Sequence, residues 1–265
     1  MTTLRVALIG WGAIGRSVAK MLQDTPVEIV AIAARDRQVE RVGIPPSAHF
    51  ITSVDELAAT RPDVVAEAAG RGSVGPWGRA ALRCGADFVV SSVSAFADPA
   101  LLQELRDLAL ETDQQVHIQP GALGGVDALS AARLMGVETV EHRMVKPPAA
   151  WRDTPAEGLC ALDTISEPTA FFSATATEAA MRFPKNANVA MTTALAGVGP
   201  NKTKITLVAD PDASTNRHEI SAHGAFGELF VTISNNPLPE NPKTSAMAAL
   251  NLVRAIQNRV SPIII

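Results

Sequence analysis

The sequence predicts an α/β fold: a Rossmann-type, doubly wound parallel sheet, followed by a second α+β domain with a mixed or antiparallel sheet. Three observations carry this. Residues 4–119 alternate apolar, strand-like runs with helical stretches, the pattern of right-handed βαβ units. Where the first run ends, Gly10-Trp11-Gly12-Ala13-Ile14-Gly15 spells G-x-G-x-x-G between a strand and a helix. After Pro120 the strand-like runs alternate apolar and polar residues, the signature of strands with one wet face.

Each element has a local reason. Leu4–Gly10 reads as a strand buried on both faces. A helix follows from about Ile14 to Leu22, with Val18, Met21 and Leu22 at helical spacing. Val27–Ala33 is rich in β-branched residues and reads as the second strand. Ser53–Ala59 reads as a short helix, with Ser53 as N-cap and Glu56 completing a capping box. Asp63–Ala68 and Asp87–Ser91 are further strands, separated by a helix over Pro76–Cys84 that Gly85 stops. Pro99–Thr112 is a periodic helix, and Gln115–Gln119 closes the series. In the second half, Val137–Val145, Lys204–Ala209 and Gly227–Ser234 read as strands, with helices over Val126–Met135 and Asn188–Leu195. Ser245–Arg259 is an amphipathic helix. We therefore expect a dinucleotide-binding domain over residues 1–120, with 240–265 packing back on it. Residues 121–239 would form a substrate, catalytic and dimerisation domain.

Composition narrows the class. The chain has 265 residues, 47% of them hydrophobic and 19% charged, which suits one or two globular domains. The net charge of −4 comes from interspersed acids and bases, so neither a nucleic-acid face nor a membrane patch is expected. No signal peptide and no apolar run near the roughly 20 residues of a membrane helix is visible, and a cytoplasmic protein is expected. Cys84 and Cys160 stand far apart in no C-x-x-C, so two buried thiols are expected and no metal site. The chain has no Tyr, which excludes any mechanism built on a tyrosine phenol.

The glycine loop is the first candidate site. Gly10 permits the tight turn, Gly12 lets the backbone approach a pyrophosphate, and Gly15 lets helix and strand pack closely. The helix start at Ala13 and Ile14 offers N–H groups and a partial positive charge to the phosphates. The cofactor is then NAD or NADP. An acid about 20 residues past the loop would select NAD, but the strand ends Ala34-Arg35-Asp36-Arg37. Arg35 and Arg37 could instead pair a 2′-phosphate.

Among the histidines, His49 is expected at the surface and His117 in the core, while His142 on its alternating strand fits either a core or a functional role. His218 is read as lying in a polar turn between two strands, where an imidazole with a pKa of about 6.5 is a natural proton shuttle. In Phe183–Gly197, Pro184 and Asn186 start a helix and Asn188 falls in its first turn. Lys185 places beside it a cation suited to a carboxylate. Lys202 and Arg71 are weaker candidates of the same kind.

With these residues in hand, the chain resembles the L-aspartate dehydrogenase family over essentially its full length. The matching pieces are the Gly10–Gly15 loop, Gln119–Leu129 (QPGALGGVDAL), Phe183–Ala190 (FPKNANVA), Asp210–Ile220 (DPDASTNRHEI) and the NNPLPENPKTSAMAALNLVRAI stretch near the end. The resemblance implies NAD- or NADP-dependent oxidation of L-aspartate to iminoaspartate. That product hydrolyses to oxaloacetate and ammonium or feeds pyridine nucleotide biosynthesis. It implies His218 as the catalytic residue and Ala122 and Asn188 as nicotinamide contacts. A homodimer through the open second sheet is also expected. Two other readings share these features: a dihydrodipicolinate-reductase-like or homoserine-dehydrogenase-like enzyme, faintly echoed by Val140–Pro148, and a non-catalytic nicotinamide-binding sensor.

Overall fold

The computed structural model describes residues 3–35 and 43–264. The chain divides into two compact units, one of residues 1–121 and 248–265, the other of residues 122–247. The first passage between units thus falls at Gly121, and the second within the final helix.

Among its described residues the first unit holds six strands: β1 (Leu4–Ile9), β2 (Val27–Ala33), β3 (His49–Ile51), β4 (Val64–Glu67), β5 (Asp87–Val90) and β6 (Val116–Ile118). They form one parallel sheet in the order β3-β2-β1-β4-β5-β6, the doubly wound order whose switch point lies between β1 and β4. Val6, Ala7, Leu8 and Ile9 are all buried, as expected of a central strand covered on both faces. The helices are α1 (Ala13–Met21), α2 (Arg71–Arg83) and α3 (Pro99–Thr112). Asp98 caps α3 by accepting the Ala100 N–H, and Pro99 opens it.

The second unit is built on a mixed sheet of β7 (Val137–Lys146), β8 (Thr169–Thr175), β9 (Lys204–Ala209), β10 (Asn216–Gly224) and β11 (Gly227–Asn235), ordered β11-β10-β7-β9-β8. Only β7 and β9 run parallel. The helices are α4 (Val126–Ala132), α5 (Ala176–Arg182) and α6 (Ala187–Ala196). A core of Met144, Trp151, Ala179, Phe183, Ala190, Ala194, Ile205 and Leu207 packs α5 and α6 against the sheet, and Leu129 of α4 packs with Val140, Ile220 and Ala222. Each large side chain so buried contributes about 1.5–3 kcal/mol. A two-strand hairpin, β12 (Pro237–Leu238) and β13 (Asn241–Ser245), leads into α7 (Ala246–Gln257). Beyond α7, Arg259 pairs with Asp87 at 2.7 Å and meets the half-buried His117 ring.

Several expectations are corrected. The capping box at Ser53 and Glu56 is present, but it opens two short 3₁₀ turns and no α-helix. The second helix begins at Arg71, and Pro76 lies inside it. It stands at the sixth position, past the first turn, so the Gly72 carbonyl loses the intrahelical N–H it would otherwise accept. β3, β8 and α5 were not foreseen. The largest correction concerns His218: it lies in β10, paired with Met144 of β7, and is 5% exposed, not in a turn. Cys84 and Cys160 are both free thiols, but each is only partly buried, where full burial was expected.

Candidate active site

In the first unit, Gly10 follows β1 with φ of +104°, a conformation that disfavours any side chain. A Cβ there would also stand 2.7 Å from the Ala68 carbonyl oxygen. A Cβ on Gly15 would stand 2.1 Å from the Gly10 carbonyl oxygen. These two glycines are demanded by the protein's own packing. Gly12 is different, because a Cβ there would meet nothing within 4 Å. Gly12 is the N-cap of α1, with no side-chain cap and no acid in the first turn. The backbone donors of that turn, around Ala13 and Ile14, are therefore available to an anion. The loop borders a pocket of about 760 Å³ lined by Gly10, Gly12, Arg35, Gly70, Ser73 and Trp77, among others. These features fit the phosphates of a dinucleotide. Arg35 is exposed on the rim, just past the end of β2. Asp36 and Arg37 lie outside the described residues. Arg71 opens α2 on the same wall.

One residue of this region escaped sequence reasoning. Glu67 ends β4 and is completely buried. Its Oε1 accepts the N–H groups of Ala69 and Gly70 at 2.8 Å each. The same oxygen accepts the Ser92 hydroxyl at 2.9 Å and meets the Ser73 hydroxyl at 2.8 Å, which it shares with the Gly70 carbonyl at 2.6 Å. Oε2 accepts the Ser92 N–H at 2.9 Å. One carboxylate thus organises the pocket wall formed by Ala69–Ser73. The visible signal was an acid at the end of the otherwise apolar Val64–Glu67 strand.

In the second unit the strand register assembles the other cluster. His218 of β10 faces Met144 of β7, and Ile220 faces His142. With a side-chain period of two, His142 and Lys146 are the diagonal neighbours of His218 on one face of the sheet. Helix α6 covers that face. Its small residues Ala187, Ala190 and Ala194 are buried, at spacings that keep them on one side. Asn186, just before α6, accepts a hydrogen bond from Lys146 Nζ at 2.5 Å. Thr193, two turns on, meets His142 Nδ1 at 2.8 Å. His142 Nε2 meets His218 Nδ1 at 3.0 Å.

Electrostatics set the protonation states. Burial, and then the Lys146 charge, lower the His218 pKa to about 4. Burial and the neighbouring His218 push His142 well below its ordinary value. Both rings are therefore neutral at pH 7. Burial first, and then Lys185, lower the Lys146 pKa to about 8. Lys146 also lies over the Trp151 ring, 4.8 Å from its centroid. No carboxylate pairs with Lys146 among the described residues.

The structure brings His218 and Lys185 into one cluster and adds Lys146, His142, Asn186 and Thr193. Asn188 is exposed in the first turn of α6. Lys202 does not join them. It follows the opposite end of α6 and precedes Lys204, which pairs with Glu141, whereas Ala209 at the other end of β9 pairs with Lys146. The ten residues of α6 set the two ends about 15 Å apart. Ala122 precedes α4, and its carbonyl accepts a hydrogen bond from Asn235 Nδ2 at 3.0 Å.

A doubly wound sheet with an anion-ready glycine loop, joined in one chain to a neutral imidazole beside a half-buried ammonium, defines a nicotinamide-dependent dehydrogenase. Residues 10–119 match the family described as homoserine dehydrogenase, NAD binding domain, and residues 127–259 the family described as aspartate dehydrogenase, C-terminal. An L-aspartate dehydrogenase of Brucella anthropi is 53% identical over 262 residues, covering 98% of each chain. That of a Polaromonas species is 41% identical, covering 99% of this chain and 100% of the relative. The crystal structure of aspartate dehydrogenase from Thermotoga maritima matches with a TM-score of 0.77 at 27% identity, over 99% of both chains. The chain belongs to the L-aspartate dehydrogenase family.

Proposed function

We propose that this chain oxidises L-aspartate at Cα to iminoaspartate, which hydrolyses to oxaloacetate and ammonium. The observation that carries the proposal is the Lys146 ammonium, held by neutral partners only, beside a neutral His218. A dicarboxylate supplies the anions this cluster lacks. Lys146 and Lys185 bind carboxylate oxygens, and burial strengthens the attraction over that of a surface pair. The substrate ammonium must lose a proton before its nitrogen lone pair can form the C=N bond. His218 takes that proton, which a neutral ring can do and an imidazolium cannot. The nicotinamide, when bound, accepts the Cα hydride. Ala122 and Asn188 are the nicotinamide contacts that the family implies. Asn235 holds the first of them in place through its carbonyl.

Succinate tests the anion site without an amine to titrate. Its affinity is expected to be level below pH 8 and to fall by about tenfold per pH unit above it, as Lys146 loses its proton. Lys146→Met should weaken binding by roughly tenfold or more and abolish this dependence. Titration calorimetry across pH 6–10 measures both. Affinity unchanged by Lys146→Met would remove Lys146 from the site.

We further propose that the enzyme accepts NADP as well as NAD. Support comes from the rim of the cofactor pocket, where the strand end presents Arg35 and no acid among the described lining residues. Arg35→Ala should raise the KM for NADP roughly tenfold, the strength of one exposed charge-assisted contact, and leave that for NAD unchanged. Equal changes in the two constants would show that Arg35 does not meet the 2′-phosphate.

A further inference from the structure

We propose that Thr193 and His142 are positioning residues that fix the tautomer of His218, leaving the lone pair on its Nε2. The inference rests on the reading of His218 as the proton acceptor.

The polarity of the chain follows from its last member. Thr193 Oγ1 stands 3.1 Å from the Val189 carbonyl oxygen, one helical turn back. A carbonyl only accepts, so the single hydroxyl proton is spent there. Thr193 Oγ1 must then accept from His142 Nδ1–H at 2.8 Å. His142 is neutral, so its Nε2 carries no hydrogen and accepts from His218 Nδ1–H at 3.0 Å. His218 is neutral too, and its remaining nitrogen, Nε2, is left with a lone pair. The reversed chain would keep only two of these three hydrogen bonds, because the hydroxyl would turn from Val189 to His142. It would also put a hydrogen on His218 Nε2, blocking proton uptake.

Burial makes the relay effective. His142 is 0% exposed, so water cannot replace Thr193 as its partner. Without the hydroxyl, His142 would keep a buried N–H with no acceptor. Moving that hydrogen to Nε2 is less costly, and it reverses the His142–His218 bond.

Thr193→Val removes the hydroxyl at nearly constant volume, and Thr193→Ser restores it. With ¹⁵N-labelled histidine, NMR of the full-length enzyme reads which ring nitrogen bears the hydrogen. The wild type and Thr193→Ser should show His218 with its hydrogen on Nδ1, and Thr193→Val should show it on Nε2. Turnover with aspartate should fall by roughly tenfold or more in Thr193→Val, recover in Thr193→Ser, and leave the cofactor KM unchanged. Should Thr193→Val not fold, Thr193→Ala asks the same question with a smaller side chain. An unchanged tautomer in the hydroxyl-less variant, or no recovery in Thr193→Ser, overturns the relay whatever the turnover. Full activity in His218→Ala would instead overturn the catalytic reading, while the tautomer measurement would still decide the relay.

Discussion

Replacing His218 with Ala is expected to lower kcat for L-aspartate oxidation by about 10²-fold or more, the usual loss when a positioned acid–base group is removed. Affinity for the nicotinamide cofactor should stay unchanged. The phosphate loop lies in the first unit, among Gly10, Gly12 and the start of α1, whereas His218 lies in the second. The effect should therefore appear in kcat, measured at saturating aspartate, and not in the cofactor KM. Protonation of the wild-type ring is also informative. With a pKa of about 4, His218 is in its proton-accepting form throughout the neutral range. Activity should thus show no His218-dependent loss near pH 6.5 on acidification. Such a loss belongs nearer pH 4, where the ring takes up a proton before substrate can deliver one. Because His218 is buried, His218→Gln serves as a fuller-sized companion, with circular dichroism confirming the fold of each. Near-normal turnover in both folded variants would mean that the proton leaves by another route.

What the sequence could reveal here depended on how far each interaction reaches along the chain. The glycine loop was legible because turn, anion site and close packing are all satisfied within Gly10–Gly15. Helix α3 could be bounded at Pro99–Thr112 because its cap, its proline and its periodicity are local. β10 was obscured by its own function. His218, Ile220 and Ala222 point inward, but the inward His disguised the alternation that would have marked Asn216–Gly224 as a strand. Lys146 and Thr193 were not singled out at all. Their partners lie 40 and 51 residues away, and only the β7–β10 register and the cover of α6 bring them together. Lys202 shows the converse. It is close to α6 in sequence, but a helix carries its two ends apart.

In the cofactor half, Glu67 is the residue whose loss should do most damage. A buried carboxylate is tolerated only when its oxygens are well supplied with donors, and Glu67 has five, from Ala69, Gly70, Ser73 and Ser92. Four of these bonds converge on one oxygen. Three of those four come from the segment that follows β4 and walls the cofactor pocket. Glu67→Ala strips three N–H groups and the Ser92 hydroxyl of their partner at once, while the Ser73 hydroxyl keeps the Gly70 carbonyl at 2.6 Å. At about 1–3 kcal/mol for each donor left unsatisfied, and with water able to rescue some of them, destabilisation of at least about 3 kcal/mol is expected. Chemical denaturation followed in the first unit measures it. Glu67→Gln discriminates the cause. Its carbonyl can still accept the four converging bonds, but its amide meets the Ser92 N–H donor to donor. Gln should therefore retain most of the stability and most of the cofactor affinity, and Ala neither. If Glu67→Ala bound cofactor as the wild type does, the wall over the pocket would owe its shape to backbone packing around Gly10 and Ala68, and Glu67 would be a bystander to it.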